Sequence, residues 1–219
     1  MRSHTEQATR SLFTTEARRG SALCSLQFIG SVLALIGFFG PWVAHRTAAL
    51  TVTGYELSEF AKFFPQVRGG TVPVRRALFV TPLLAAFVSL ALVIQRSGRG
   101  RFLRIAGAVL AALLGLVALP PLQAVLEPGY RLQLALVAVG VLLTLTTPLA
   151  RQLSERVRGI LVLLLALVGA VPALCQAALL RPLVMELYSG PVWPGWGLIV
   201  CAIGFLTLTI AGLRSTLSS

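Results

Sequence analysis

The chain has 219 residues, 56% of them hydrophobic and 12% charged, with a mean hydropathy of +0.85. Soluble domains carry about 25% charged residues, so a water-soluble fold of this size is excluded. The formal charge of +12 would suit nucleic acid, but the eighteen Arg and one Lys fall in short connections and tails, where membrane topology accounts for them. No nucleic-acid partner is expected.

Residues 1–21 read as a polar tail, with Arg2, Arg10, Arg18 and Arg19 ahead of the first apolar run. That beginning resembles a secretory signal, yet the run that follows exceeds the about 7–15 residues of a signal's apolar region. It is read as an uncleaved helix. Six uncharged apolar segments then follow: Ala22–Ala44, Ala77–Gln95, Ile105–Leu126, Leu132–Ala150, Gly159–Leu180 and Gly195–Leu213. About 20 helical residues cross a ~30 Å hydrocarbon core. The predicted fold is therefore all-α: a polytopic transmembrane bundle of six spans over residues 22–213, with a short tail at 214–219. Four of the five connections are short, which makes successive helices antiparallel neighbours.

With the N-terminus inside, the inner side holds Arg2, Arg10, Arg18, Arg19, Arg96, Arg99, Arg101, Arg104, Arg151, Arg156, Arg158 and Arg214. The outer side holds Arg46, Lys62, Arg68, Arg75, Arg76, Arg131 and Arg181. Positive residues are retained in the cytoplasm, so both termini are expected there.

The one long connection, residues 45–76, is predicted to form an outer cap. Val43–Val52 is rich in Thr, Ala and Val and suits a strand. Thr53-Gly54-Tyr55-Glu56 reads as a capping box. Beyond it Leu57, Phe60, Ala61 and Phe64 recur at i, i+3, i+4 and i+7, which predicts an amphipathic helix of about three turns over 54–64, ended by Pro65. Such a helix either caps the bundle or presents a docking surface to a partner or lipid.

All three Trp and all three Tyr fall on the outer side: Trp42, Tyr55, Tyr130, Tyr188, Trp193 and Trp196. Simple interfacial anchoring explains them, and a collar around an outer-leaflet pocket is the sharper alternative. Pro120-Pro121 is expected to kink the third helix and Pro172 the fifth, with Gln123 and Gln176 beside the freed carbonyls. A repeat of about 54 residues relates Arg104, Gly115, Pro120 and Gln123 to Arg158, Gly169, Pro172 and Gln176. Gly107, Gly115, Gly140, Gly169 and Gly204 allow close helix packing.

Chemistry-bearing groups are sparse. Cys175 and Cys201 sit at similar expected depth, as packing elements or as a disulfide; Cys24 lies near the other end. His4 and His45 are far apart in sequence, and no metal-ligand spacing, nucleophile elbow or phosphate loop occurs. No catalytic residue and no metal site is predicted, and no cofactor is identified.

The run Gly37-Phe38-Phe39-Gly40-Pro41-Trp42-Val43, followed by Thr53-Gly54-Tyr55-Glu56-Leu57, resembles a pattern in uncharacterised bacterial multi-pass membrane proteins. In those a first helix ends in Pro-Trp-Val and the outer loop carries a Gly-aromatic-x-Leu element. The resemblance covers about forty residues, implies a bacterial envelope protein, and supplies no activity or substrate; with the six spans, the bacterial cytoplasmic (inner) membrane is the expected location.

Two functions are expected from these residues. The first is a non-enzymatic accessory or scaffold subunit docking a membrane-protein partner through Trp42, Tyr55, Phe60, Phe63, Phe64, Trp193 and Trp196. The alternative is a carrier or binder of an apolar or lipid-like molecule, gated at Pro120, Gln123, Pro172 and Gln176.

Overall fold

A computed structural model describes residues 2–45, 50–96, 100–120, 123, 125 and 127–217, the side chains of 2–19, 45 and 50 excepted. Arg46, Arg99, Pro121 and the last two residues of the C-terminal tail lie outside the described residues, as do the side chains of His4 and His45. The elements in chain order are α1 (Arg2–Phe39), β1 (Pro41–His45), β2 (Leu50–Thr53), α2 (Gly54–Phe60) and α3 (Pro65–Arg68). Then come α4 (Thr81–Arg96), α5 (Arg101–Gly115), α6 (Arg131–Thr146), α7 (Glu155–Leu187), β3 (Trp193–Pro194) and α8 (Trp196–Leu217). Among the described residues six helical segments are long and apolar enough to cross a membrane: Gly20–Phe39, Arg76–Arg96, Arg101–Ala118, Pro128–Gln152, Glu155–Leu187 and Trp196–Leu217. The all-α polytopic bundle read from the sequence is the observed architecture. The polar tail is not separate from the first span; both belong to α1.

The spans alternate in direction. Thr81 meets Gly169 while Arg96 meets Glu155, so α4 and α7 run oppositely. Gly30 lies against Leu208 and Gly40 against Gly197, which makes α1 and α8 antiparallel as well. The start of α1 and the end of α8 therefore share one end of the bundle, the termini end. The segment between α1 and α4 covers the other, the cap end.

In the most apolar stretch of the α4 span 83% of residues are buried, against 28% for those of α5, α6 and α7. This makes α4 the central helix. Its small side chains Ala85, Ala86, Ser89 and Ala91 let neighbours approach on every face. The one polar group deep in it is satisfied across the interface. Ser31 of α1 donates to the Gln27 carbonyl at 2.9 Å, its Oγ lies within hydrogen-bond distance of Ser89 Oγ at 3.1 Å, and Gln27 Nε2 donates to the Ser89 carbonyl at 3.2 Å. Leaving those groups unpaired in hydrocarbon would cost several kcal/mol.

The tightest contact joins α1 to α8. A Cβ at Gly37 would stand 2.1 Å from the Cys201 backbone nitrogen, and one at Gly204 would stand 2.4 Å from that of Ala34. Only residues without side chains permit that approach. Large apolar side chains such as Leu110 and Leu113 on α5, Leu142 on α6, Val168 on α7 and Leu206 on α8 point away from the core. An exposed apolar area of this extent implies contact with a lipid bilayer. At the termini end Glu155 accepts from Arg96 at 2.8 Å and from Arg158 at 2.9 Å, tying the end of α4 to the start of α7.

Candidate functional site

The cap starts where Gly40 ends α1. β1 pairs antiparallel with β2 and also with β3, Val43 lying opposite Pro194 and Ala44 opposite Trp193. Trp42 turns inward from β1 and is 2% exposed; its indole N–H donates to the Gly37 carbonyl at 3.0 Å. Phe38 meets the indole edge-on at 6.2 Å, and Gly54 leaves room for the same ring. A buried Trp with a satisfied N–H is a packing anchor. Trp42 therefore fixes the cap to α1 and has no surface to offer a partner.

The capping box forms as read: the Glu56 amide donates to Thr53 Oγ1 at 3.2 Å, and the Thr53 amide donates to the Glu56 carboxylate at 2.9 Å. The helix it starts is shorter than the expected three turns. α2 stops at Phe60, a 3-10 turn spans Ala61–Phe63, and Pro65 opens the separate α3. Pro65 lacks the N–H that would have bonded Ala61, so the chain restarts there with proline in a first turn. The apolar stripe faces the bundle: Leu57, Ala61 and Phe64 are buried and Phe60 is half-buried, stacked edge-on against Phe64 at 5.4 Å. Phe63 alone of this group is turned out, 74% exposed.

A polar strap locks the cap sideways. Lys62 contacts the Glu59 carboxylate and the Tyr130 hydroxyl, and that hydroxyl donates to Glu59 at 3.1 Å. Arg76, at the start of the α4 span, lies over the Tyr130 ring at 5.1 Å. Partial burial works to lower the Lys62 pKa. Its hydrogen bonds to Glu59 and Tyr130, with the Glu59 charge, outweigh that and leave it above the usual lysine value. Lys62 is therefore a fixed cation at neutral pH. A second tie comes from α7, where Gln176 Oε1 accepts the Arg75 backbone N–H at 2.6 Å.

All six Trp and Tyr residues lie at the cap end, in three environments. Trp42 and Tyr130 are buried, Tyr55 and Tyr188 are partly buried, and Trp193 and Trp196 are 69% and 54% exposed. Of the seven docking candidates, Phe63, Trp193 and Trp196 are thus open to a partner, while Trp42 and Phe64 belong to the core and Tyr55 and Phe60 pack against it.

The gate candidates stand in different local settings, and Pro120 and Gln123 adjoin residues outside the described ones. The chain does not kink at Pro120: α5 ends at Gly115, one 3-10 turn follows, and Leu119 is extended before Pro120. A residue preceding proline is driven from helical geometry, and two successive prolines stop a helix that one would bend. The orphaned Ala118 carbonyl is met by Gln133 of α6, which donates at 2.7 Å. Gln123, expected in that role, is exposed. α7 continues through Pro172, and Thr81 of α4 donates to the Gly169 carbonyl at 3.1 Å, one turn before it. Gln176 serves the cap. Two grooves among the described residues, of about 220 and 270 Å³, have none of Pro120, Gln123, Pro172 and Gln176 in their walls. Cys175 and Cys201 are free thiols, the first exposed and the second buried against Gly37.

A feature that sequence reading missed is the length of α7. The apolar run ends at Leu180, and Arg181-Pro182 looks like its end, yet the helix continues to Leu187 with Leu183 and Val184 buried against the cap. The available signal was Leu183, Val184 and Leu187 on the helical repeat of Leu180. Between this extension, the β1–β3 ladder and α8 lies an apolar groove of about 220 Å³. Trp42, Leu57, Leu180, Val184 and Val192 form its buried floor; Ala178, Arg181 and Trp193 are exposed at its rim. A second groove of about 270 Å³ lies between α4, α6 and α7 toward the termini end, lined by residues such as Leu92, Leu143, Thr147 and Leu165. Among the described residues no three His, Cys, Asp or Glu side chains come together in a way that would hold a metal ion. Comparison with protein families, with curated proteins and with solved structures finds no match to this chain.

Proposed function

We propose that this chain is a non-enzymatic subunit of an assembly in the bacterial cytoplasmic membrane, with both termini in the cytoplasm and its cap outside. Its role is to hold a partner membrane protein against the cap end. The observation that carries this reading is the contrast within the cap. Trp42, Leu57 and Phe64 are buried and a polar strap fixes the helix, while Phe63, Trp193 and Trp196 remain exposed on the same end. Exposed aromatic side chains on a rigid support are the usual anchors of a protein interface. The twelve-to-seven excess of basic residues on the termini side supports the orientation.

The test is mild-detergent extraction of the tagged chain from its native membrane, followed by native electrophoresis and mass spectrometry. The expected result is one stoichiometric protein partner, lost in Phe63→Glu and weakened in Trp196→Ala while the fold persists. A chain that migrates alone after chemical crosslinking in the intact membrane overturns the reading.

A further inference from the structure

The cap-end groove has the features of a site for one particular chemistry. Its floor is apolar and buried, and water in such a cavity finds too few polar partners to stay. From Leu174 to Val184 it follows α7 for ten residues, about 15 Å at the helical rise, which is half of a ~30 Å hydrocarbon core. Leu174 and Ala178 belong to the apolar run of α7, whereas Val184 lies one turn beyond it. The groove therefore crosses the level at which hydrocarbon gives way to headgroups. At about 220 Å³ it is smaller than the ~300–1,000 Å³ of sites that enclose a whole small molecule. It fits part of a chain whose remainder stays in the bilayer.

Arg181 supplies the second half of the recognition. It is the one charged residue in the wall of the groove, it is exposed at the rim, and among the described residues it forms no ion pair. A cation at the headgroup level without a carboxylate partner calls for an anion there. Trp193 stands on the same rim with its amphipathic ring in the same zone. A peptide would bring backbone donors and acceptors that an apolar floor cannot satisfy. A neutral apolar molecule would make no use of Arg181.

We propose that this groove binds an anionic phospholipid of the cap-side leaflet, one acyl chain on the floor between α7 and the β1–β3 ladder and the headgroup phosphate on Arg181. The groove shares Trp193 with the docking surface proposed above, but Ala178 and Arg181, the two positions tested, are not among the partner-contact residues.

The test is native mass spectrometry of the full-length chain in detergent, titrated with dioleoyl phosphatidylglycerol or dioleoyl phosphatidylcholine. Wild type is expected to retain one phosphatidylglycerol per chain in preference to phosphatidylcholine. Arg181→Gln should reduce that preference about fivefold, the worth of one interfacial cation. Ala178→Trp, which fills the rim from an exposed position, should reduce retention of both lipids. A phosphatidylglycerol with a diazirine on its acyl chain should crosslink within residues 174–184. Equal retention of the two lipids by wild type, unchanged retention in both variants, or crosslinks spread over the lipid-facing helices would each overturn the proposal and leave an annular lipid only. Capture of a polypeptide in place of lipid by a photoreactive residue at position 178 would overturn it as well.

Discussion

At the scale of single residues, the contact between α1 and α8 is decided by hydrogen in place of a methyl group. A Cβ on Gly37 would sit 2.1 Å from the Cys201 nitrogen and 2.6 Å from the Gly197 carbonyl oxygen, and both neighbours are backbone. Backbone in a helix cannot turn aside as the end of a long side chain can, so the two helices must separate. Gly37→Ala is expected to destabilise the bundle by at least ~1–3 kcal/mol, the usual cost of overpacking. Gly20→Ala, with nothing within 4 Å of the added methyl, is expected to be neutral or stabilising by up to ~1 kcal/mol through helix propensity. Equilibrium unfolding of both variants in the same mixed micelle checks the pair. Equal effects would mean that the close contact does not matter. At this scale the sequence was informative where the cause was local: Thr53 and Glu56 form their capping box within four residues. It was silent on Trp42, whose burial depends on Gly54 and on a ladder to Pro194, distant in sequence.

At the scale of elements, proline had more than one outcome. Pro120 follows a helix that has already ended, while Pro172 and Pro182 lie inside one that continues. The periodic match between the third and fifth spans made these prolines look equivalent; their surroundings make them different. α7 is held along its length by α4, α8 and the cap, so the hydrogen bond that Pro172 cannot give the Val168 carbonyl is tolerated, while Thr81 ties α4 to the neighbouring Gly169 carbonyl. α5 packs on fewer neighbours and ends at Gly115, ahead of Pro120. Gln133 then becomes the residue on which that broken end depends. Gln133→Leu leaves the Ala118 carbonyl unpaired within the bundle and is expected to cost about 1–3 kcal/mol. Gln123→Leu, at an exposed position, should change stability by less than ~0.5 kcal/mol. Thermal unfolding of the two variants side by side distinguishes them, and a larger effect at Gln123 would reinstate the assignment made from sequence. The six spans themselves were plain in the sequence because each run is uncharged and long enough to cross a bilayer. The α7 extension was not, because Arg181-Pro182 carries the signals of a helix end and only the cap supplies what covers Leu183 and Val184.

At the scale of the molecule, alternation of six spans places the cap on one face and both chain ends on the other. In a background without the native cysteines, an impermeant maleimide applied to intact cells should label Thr71→Cys on the cap. It should label Gln152→Cys, at the termini end, only after the membrane is opened; both positions are exposed. Labelling of both from one side would contradict the six-span path, and a reversed pattern would invert the orientation proposed here. The seam between α1 and α8 also bears on how the molecule comes into being. Of the six spans described, α1 is made before the others and finds its closest neighbour in α8, made after them, so that seam cannot be completed early. Until α8 arrives, the narrow side of α1 around Gly37 meets lipid or an insertion factor. A nascent chain halted after α7 is thus an unfinished product with a recognisable scar, and only the arrival of α8 closes that side of the bundle.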